Sequence, residues 1–313
     1  MRAAQYDRYG GPDVIHLAEA PTPAARSGRI LVAVHGSSVN PVEARVRSGA
    51  FRFVTGSKFP KNVGMDFAGE IVSLGDGVSG WTVGDRVWGF TGGLPLGRIG
   101  AAAELLSVKP TWISRAATSI DLVTAGGMPM VGSTAIIALR HQAKLVAGER
   151  LLVRGASGGV GSVAVQLGVA LGARVTATAS ATNLDFVRSL GATEAFDYRT
   201  TRPSDLSAFD VILDLSGTQV PDYHRLLARG GRMVTTAVNN VGFFLASQLL
   251  GPRRVRAFTA MPRTRYFADL AELVDSGRIV PVVGGVHPLA ETAAAHAALE
   301  SGTRGKQIID VRA

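Results

Sequence analysis

The segment that most constrains the fold of this chain is residues 151–180, LLVRGASGGVGSVAVQLGVALGARVTATAS. It reads as a short apolar strand, a turn with four glycines in seven residues, a helix rich in small residues, and a second strand. Apolar strands and amphipathic helices continue to alternate as far as about residue 238. This alternation predicts right-handed βαβ units, and therefore a doubly wound parallel sheet of the α/β class.

The glycine turn, GASGGVG at 155–161, lies between a strand and a helix, which is the context of a phosphate-binding turn. Glycines here let the backbone approach a pyrophosphate, and the free amides at the helix start face the phosphates. Ala156 stands where the G-x-G-x-x-G pattern has its first glycine. The residues predicted to bind a cofactor at this turn are Ala156, Ser157, Gly158, Gly159, Val160 and Gly161.

The same letters allow two other interpretations. GASGG matches the G-x-S-x-G nucleophile elbow, and Asp214 and His287 follow Ser157 in the order that a serine hydrolase requires. However, the strand and helix alternation begins only at this motif, and no HGGG-type segment precedes it. A purely structural strand-to-helix turn is the second alternative.

The composition excludes several classes of protein. The absence of cysteine rules out disulfides, thiolate metal sites and a cysteine nucleophile. The net charge of +9 comes mainly from scattered arginines, without a zinc finger or an aromatic RNA-binding motif, so we expect no nucleic-acid partner.

No membrane segment is expected either. The amino terminus lacks an apolar signal core, and the longest uncharged run, 122–139, barely reaches bilayer length and contains Pro129 and several glycines. We therefore interpret that run as buried interior and expect a cytoplasmic protein.

The first part of the chain has a different residue pattern, which is typical of β-strands. Residues 29–39 alternate apolar and polar side chains, and 67–90 read as two strands joined by a Gly/Asp/Ser turn. A similar β pattern returns from about residue 280. We therefore predict a β-rich domain at 1–120 that is completed by 280–313, and a dinucleotide-binding domain at 121–279.

Four segments carry a resemblance to a known family. Residues 62–90 resemble the signature segment of medium-chain dehydrogenases/reductases, and 37–49 resemble the N-P-x-D-x-x-x-R-x-G stretch of their quinone oxidoreductase branch, which includes zeta-crystallin. The turn at 155–161 and RGKQIIDV at 304–311 match that branch as well. The resemblance implies a GroES-like β-rich substrate domain plus a Rossmann domain, with the active site in the cleft between them, and we expect a homodimer.

The resemblance also bears on metal binding. Zinc-dependent relatives carry an early cysteine and a Gly-His-Glu motif, where this chain has no cysteine and reads Gly64, Met65, Asp66. A thioether is a poor ligand for Zn²⁺. We therefore expect no metal, and we interpret Asp66 as a structural carboxylate.

Without a metal, the resemblance implies direct hydride transfer from NADPH to a quinone or to the C=C bond of an α,β-unsaturated carbonyl. It places Asn40 near the nicotinamide and the substrate oxygen, and Thr134 near the nicotinamide ribose. From local sequence alone, Asn40 could equally be a turn residue before Pro41, and Thr134 a helical residue bonded to its own backbone. Ser216 and Lys306 are further predicted cofactor contacts.

The substrate pocket is predicted to be apolar. Its candidate residues, each of which could instead be ordinary core, are Arg45, Phe51, Phe53, Phe90 and Phe243, with Trp88 and Phe244 as neighbours. Arg45 replaces a tyrosine that many relatives carry, so an aromatic stacking site for quinones is in doubt.

The dinucleotide preference follows from the end of the second strand. NAD-preferring sites have an acidic residue roughly 20 residues after the glycine turn, whereas this strand ends in TATASATN. Ser180 and Asn183 could donate hydrogen bonds to a 2′-phosphate, and the family resemblance implies that Tyr198 and Arg199 on the following turn assist, although Arg199 could instead be a surface charge. The sequence thus favours NADPH, used by a reductase or, alternatively, by a binding protein without turnover.

Overall fold

The computed structural model describes residues 1–92, 99–237, 243–245, 247 and 255–313. The chain divides into two compact units. The first unit comprises Met1–Ser133, Ala260–Gly277 and Pro281–Ala313, and the second comprises Thr134–Thr259 and Arg278–Val280. The amino-terminal and carboxy-terminal parts of the chain therefore share one unit.

A six-stranded parallel sheet forms the second unit, in the order β11-β10-β9-β12-β13-β14. Its strands are β9 (Arg150–Arg154), β10 (Arg174–Ala179), β11 (Glu194–Asp197), β12 (Phe209–Asp214), β13 (Leu227–Thr235) and β14 (Val255–Ala257). This is the Rossmann order 3-2-1-4-5-6, in which the first and fourth strands are neighbours. The predicted doubly wound parallel sheet is confirmed.

The helices of this unit follow the predicted pattern, with one difference. They are α5 (Gly159–Ala170), α6 (Leu184–Ser189) and α7 (Val220–His224). The segment VPDYHRLLARGG at 220–231 has the pattern of one helix ended by glycine, but α7 ends at His224 and β13 begins at Leu227, which pairs with Phe209. The pairing of β12 with β13 shifts register after Phe209. This irregularity, together with Gly230 at φ +77°, accommodates the end of the segment that the sequence assigned to the helix.

Two sheets form the first unit, whose predicted β-rich character is confirmed. A three-stranded antiparallel sheet has the order β2-β1-β4, and a seven-stranded mixed sheet has the order β15-β16-β3-β5-β6-β8, with β7 also paired to β3. The strands are β1 (Arg2–Tyr6), β2 (Ile15–Glu19), β3 (Ile30–Ser38), β4 (Lys61–Asn62), β5 (Asp66–Leu74), β6 (Arg86–Phe90), β7 (Leu105–Val108), β8 (Ile113–Arg115), β15 (Val283–Pro288) and β16 (Lys306–Asp310).

The α-helices described for the first unit include α4 only in part, because the first segment of that unit ends within α4 at Ser133. They are α1 (Pro41–Arg47), α2 (Arg52–Thr55), α3 (Leu122–Ala125), α4 (Pro129–Ile136), α8 (Thr264–Asp275) and α9 (Thr292–Glu300). Helix α8 packs against β8 and β6 of the first unit, although the sequence pattern assigned it to the second domain. The reason is tertiary: Phe267 and Leu270 are fully buried there, and the Asp275 carboxylate accepts hydrogen bonds from the Thr118 and Ser119 amides.

The uncharged run at 122–139 forms α3, α4 and the start of a π-helical turn at Ile137–Gln142, and most of its side chains are buried. Among the described residues, no helix has both the length and the apolar character needed to cross a bilayer. The interpretation of this run as buried interior is confirmed.

One buried pair of basic side chains lies between α1, α9 and the first strands. Arg47 is 1% exposed; it donates to the Gly10 carbonyl oxygen at 2.6 Å and also binds the Glu300 carboxylate. His296 is fully buried, and within the part of the chain that the structure describes neither of its ring nitrogens has a hydrogen-bond partner. Burial, reinforced by the positive charge of Arg47, lowers the pKa of His296 to about 3.

This low pKa predicts a loss of stability in acid. The unfolded chain binds a proton at His296 with a pKa of about 6.5, whereas the folded chain does not bind one until about 3, so the contribution of the neutral side chain is full above 6.5 and is lost as pH falls. Between about pH 7.5 and pH 5 this one group lowers the free energy of unfolding by about 2 kcal/mol. A His296→Leu variant should therefore lose about 2 kcal/mol less than the wild type over that range, measured by urea unfolding at each pH.

The control is His16→Gln, because His16 is about half exposed in its side chain. It should keep the wild-type pH dependence. If His296→Leu and the wild type lose equal free energy on acidification, the assignment of the acid sensitivity to His296 is wrong.

Candidate functional site

The glycine turn has the geometry of an anion-binding site. Gly155 has φ +77°, which only glycine adopts without strain, and a Cβ on Gly161 would lie 2.1 Å from the Gly155 carbonyl oxygen. The turn therefore brings the start of α5 into direct backbone contact with the end of β9. The N-cap residue of α5 is Gly158, which has no side chain. The first-turn amides of Gly159, Val160 and Gly161 therefore have no side-chain cap.

The end of the second strand carries hydroxyl and amide groups. Asn183 Nδ2 donates to Ser180 Oγ at 2.9 Å, and Ser180 Oγ also lies 3.2 Å from Thr182 Oγ1. Thr182 is an exposed member of this group that sequence reasoning missed, although it stands between the two predicted residues. On the neighbouring strand's turn, the Arg199 guanidinium lies 5.5 Å from the centre of the Tyr198 ring, which is 49% exposed.

The groups proposed for a serine hydrolase are engaged elsewhere. The Asp214 carboxylate accepts from Arg154 Nη1 at 2.7 Å and from the Ser216 and Gly217 amides. His287 Nε2 lies 3.0 Å from Gln307 Oε1. Asp214 is therefore the partner of Arg154, and it does not serve as the carboxylate of a catalytic triad. The order of motifs in the sequence did not reveal this pairing.

A buried polar cluster lies at the ends of β3, β5 and β16 in the first unit. Asn40 Nδ2 donates to Glu43 Oε1 at 2.9 Å and to Asp66 Oδ2 at 2.8 Å. Lys306 Nζ donates to Asn40 Oδ1 at 2.5 Å and to the Val39 carbonyl oxygen at 2.8 Å, and it lies 3.3 Å from Asp66 Oδ2. Both amide hydrogens of Asn40 thus have acceptors inside the protein, and Lys306 makes two hydrogen bonds and one ion pair there. The ammonium group of Lys306, which is also a predicted cofactor contact, orients Asn40 in this arrangement.

Glu43 is the titratable member of this cluster. Burial raises the pKa of Glu43 to about 7, against the opposing effects of the hydrogen bond from Asn40 and the charge of Lys306. Its second carboxylate oxygen accepts from the Gly64 amide at 2.7 Å. Two carboxylates share one ammonium group here, so a proton on Glu43 makes the cluster neutral.

Asp66 stands where the Gly-His-Glu motif of zinc-dependent relatives has its glutamate, and its partners here show a structural role. Its Oδ1 accepts from the Met130 amide at 2.7 Å, at the amino-terminal end of α4, and its Oδ2 accepts from Ser38 Oγ at 2.7 Å. Asp66 therefore caps the helix that carries Thr134, a residue that is itself buried. Among the described residues, no group of three His, Cys, Asp or Glu side chains is arranged to hold a metal ion.

The aromatic residues of the predicted pocket fall into three places. Arg45 lies over the Phe51 ring at 5.0 Å, and Phe53 nearby is 91% exposed. Phe90 is fully buried and packs edge-on against Phe267 at 5.6 Å, as core. Phe243 packs edge-on against His224 at 5.4 Å in the second unit. Trp88 is also core, with its indole N–H bonded to Ser114 Oγ.

Comparison with known proteins agrees with this architecture. A family model described as "Alcohol dehydrogenase GroES-like domain" matches residues 26–117, and one described as "Zinc-binding dehydrogenase" matches residues 190–309. The rat protein named "Quinone oxidoreductase" is 32% identical over 99% of this chain and 97% of its own length. The Arabidopsis thaliana protein named "NADPH-dependent alkenal/one oxidoreductase, chloroplastic" is also 32% identical, over 99% of this chain and 79% of its own. The solved structure of the quinone oxidoreductase from Coxiella burnetii superposes with a TM-score of 0.92, at 29% identity, over 100% of this chain and 99% of that one.

The chain is an oxidoreductase that uses a nicotinamide cofactor. This class is defined by the GroES-like β-rich unit together with the Rossmann sheet, which has a glycine turn at its first strand. The chain belongs to the medium-chain dehydrogenase/reductase superfamily, in its quinone oxidoreductase branch. The family resemblance seen in the sequence is confirmed.

The buried cluster predicts a large effect of removing the Asp66 charge. In Asp66→Asn, Lys306 loses its closest counter-charge, and an amide N–H group would face the donors Ser38, Asn40 or Met130. We expect the free energy of unfolding to fall by about 3 kcal/mol or more, because one member of a buried ion pair is removed. The matched control is Glu70→Gln on the same strand, where the carboxylate is 45% exposed and should change stability by about 0.5 kcal/mol or less. Equal denaturant midpoints for the two variants would contradict the role assigned to Asp66.

Proposed function

We propose that this protein is an NADPH-dependent reductase that transfers hydride to a quinone or to the C=C bond of an α,β-unsaturated carbonyl. The observation that carries the proposal is the glycine turn followed by an acid-free strand end, with the uncapped amides of α5 available to a pyrophosphate. The printed names of two relatives, a quinone oxidoreductase and an alkenal/one oxidoreductase, support the substrate class. Bound NADPH supplies the hydride, so the protein has to orient the acceptor, exclude water and stabilise the developing negative charge on oxygen.

For the last task we propose Asn40, with Thr134 near the nicotinamide ribose. In the described arrangement Asn40 donates both amide hydrogens to carboxylates, so one of these bonds has to be exchanged before it can donate to a substrate oxygen. The bond to Glu43 is the easier one to give up. A proton on the Glu43 oxygen that faces Asn40 removes that acceptor, and the raised pKa of about 7 makes the protonated form accessible near neutral pH.

The remaining assignments are also proposals. The 2′-phosphate is assigned to Ser180, Asn183, Tyr198 and Arg199, and Ser216 to a further cofactor contact. Arg45, Phe51 and Phe53 are the candidates for the apolar substrate contacts, because they are adjacent and accessible. We further propose a homodimer in the cytoplasm, without a nucleic-acid or membrane partner.

Steady-state oxidation of NADPH with a panel of quinones and enones tests the proposed reaction. We expect turnover with at least one member of the panel, and little change in that turnover in Ser157→Ala. Binding of NADPH without turnover on any acceptor would instead support a non-catalytic protein. Hydrolysis of activated esters that disappears in Ser157→Ala would support the hydrolase.

The absence of a carboxylate at the end of β10 predicts a preference for NADPH over NADH in kcat/KM. Ser180→Asp places a carboxylate there that repels a 2′-phosphate and accepts from ribose hydroxyls, so the NADPH/NADH ratio of kcat/KM should fall by about tenfold or more. Ser189→Asp makes the same charge change on an exposed residue at the other end of α6 and should leave the ratio unchanged. Equal kcat/KM for the two cofactors in the wild type would refute the preference.

If Asn40 stabilises developing charge, Asn40→Ala should lower kcat by about a hundredfold, the effect of losing one donor in a preorganised site. The Kd for NADPH should stay within about threefold of the wild type. Ser38→Ala is the matched control, because it removes another donor to the same Asp66 carboxylate. The assignment fails if both variants, compared as folded protein, turn over the best acceptor within about threefold of each other.

A further inference from the structure

The carboxyl ends of β9 and β12 carry a buried ion pair that the proposed mechanism does not use. These two strands are neighbours at the centre of the parallel sheet, and Arg154 lies directly opposite Asp214 in their register. In sheets of this order, the crevice beyond the carboxyl ends of the first and fourth strands receives the dinucleotide. The pair therefore lies where the sheet topology places the cofactor.

Arg154 has few degrees of freedom. Its side chain is only 4% exposed, and its guanidinium lies 3.5 Å from the centre of the Tyr223 ring. Nη1 donates to Asp214 Oδ1 at 2.7 Å and Nη2 donates to Thr218 Oγ1 at 3.2 Å, while the buried Nε has no partner among the described residues. The planar fork of an arginine thus joins β12 to the loop that follows it.

Asp214 continues this connection along the loop 214–218. Its fully buried carboxylate accepts from the Ser216 amide at 3.2 Å, the Ser216 hydroxyl at 3.1 Å and the Gly217 amide at 3.2 Å. The Leu215 amide donates to the Arg154 carbonyl oxygen at 3.3 Å, and a Cβ on Gly155 would lie 3.5 Å from Leu215 Cβ. The loop 214–218 therefore lies against the first residue of the glycine turn.

Net stability is a weak explanation for this arrangement, because a buried ion pair often contributes no more than apolar side chains of the same volume. What it does provide is one fixed geometry. We propose that Arg154 is a positioning residue for dinucleotide binding: paired with Asp214, it holds the loop 214–218 beside the glycine turn in the conformation that receives the cofactor. The proposal rests on binding of a nicotinamide dinucleotide and not on whether NADPH or NADH is preferred.

The chain contains a matched control for this pair. Arg150 and Asp210 lie on the same two strands, four residues earlier, at the amino ends, where Arg150 Nε is 3.7 Å from Asp210 Oδ2. The residue types and strands are the same, but the sheet topology places no cofactor at that end.

The test measures the Kd of NADPH and of NADH, by quenching of protein fluorescence, for Arg154→Met and Arg150→Met. We expect Arg154→Met to raise both Kd values by about tenfold or more, with kcat at saturating cofactor within about threefold of the wild type. Arg154→Lys should recover part of the affinity, because it keeps the charge beside Asp214 but not the bond to Thr218. Arg150→Met should stay within about twofold of the wild type.

A double variant, Arg154→Met/Asp214→Leu, separates positioning from folding. It leaves no unpaired buried charge, so it should unfold near the wild-type denaturant concentration, yet its Kd values should stay high because the loop bonds of Asp214 are gone. Wild-type affinity in this variant or in Arg154→Met would overturn the proposal. If Arg154→Met does not fold, Arg154→Lys is compared with Arg150→Lys instead. Equal Kd values for these two variants would overturn the proposal. A change in the NADPH/NADH ratio alone bears on the cofactor preference and not on Arg154.

Discussion

The buried polar cluster of the first unit is organised around the ammonium group of Lys306. Lys306 comes from the last strand of the chain, and through Asn40 and Asp66 it joins the end of β3, the start of β5 and the amino-terminal end of α4. Removing an ammonium group and two carboxylates from water costs several kcal/mol per ion unless each is paired and hydrogen-bonded. Lys306 and Asp66 are paired with each other, and both are hydrogen-bonded to Asn40. The proton that burial favours on Glu43 then removes the excess negative charge of the cluster. The local conformation of three elements is thus set by one requirement of charge balance.

In the second unit the corresponding constraint is close backbone approach. Gly161 allows α5 to start in contact with the end of β9, and any Cβ at that position would collide with the Gly155 carbonyl oxygen. The same approach leaves the first amides of α5 without a side-chain cap. The free amides that suit an anion are therefore a consequence of how tightly the helix packs on its strand.

Much of this was predictable from local sequence. The strands and helices of the second unit, the glycine turn and the family resemblance all follow from patterns within about 30 residues. Pairing between distant residues was not predictable, because Lys306 and Asn40 are 266 positions apart and nothing in GKQIID indicates an acceptor. The same holds for Arg154, a charged residue at the end of an apolar strand, and for Phe90, whose neighbour Phe267 makes it core. Residue type and spacing identified which side chains matter, while tertiary contacts determined what each one binds.

The two buried charge clusters share a physical logic. In each, a cation with directional donors, Lys306 or Arg154, is matched to an aspartate whose remaining lone pairs accept backbone or hydroxyl hydrogens. Such a group contributes little net stability but allows only one hydrogen-bonded geometry, since any displacement leaves a charge unpaired in a low dielectric. Several of the groups assigned to the cofactor, by contrast, are backbone amides and partly exposed hydroxyls, which exchange water for a ligand at low cost. A rigid charge pair beside the glycine turn, combined with neutral donors that exchange readily, suits a site that binds an anionic dinucleotide and releases it in each turnover.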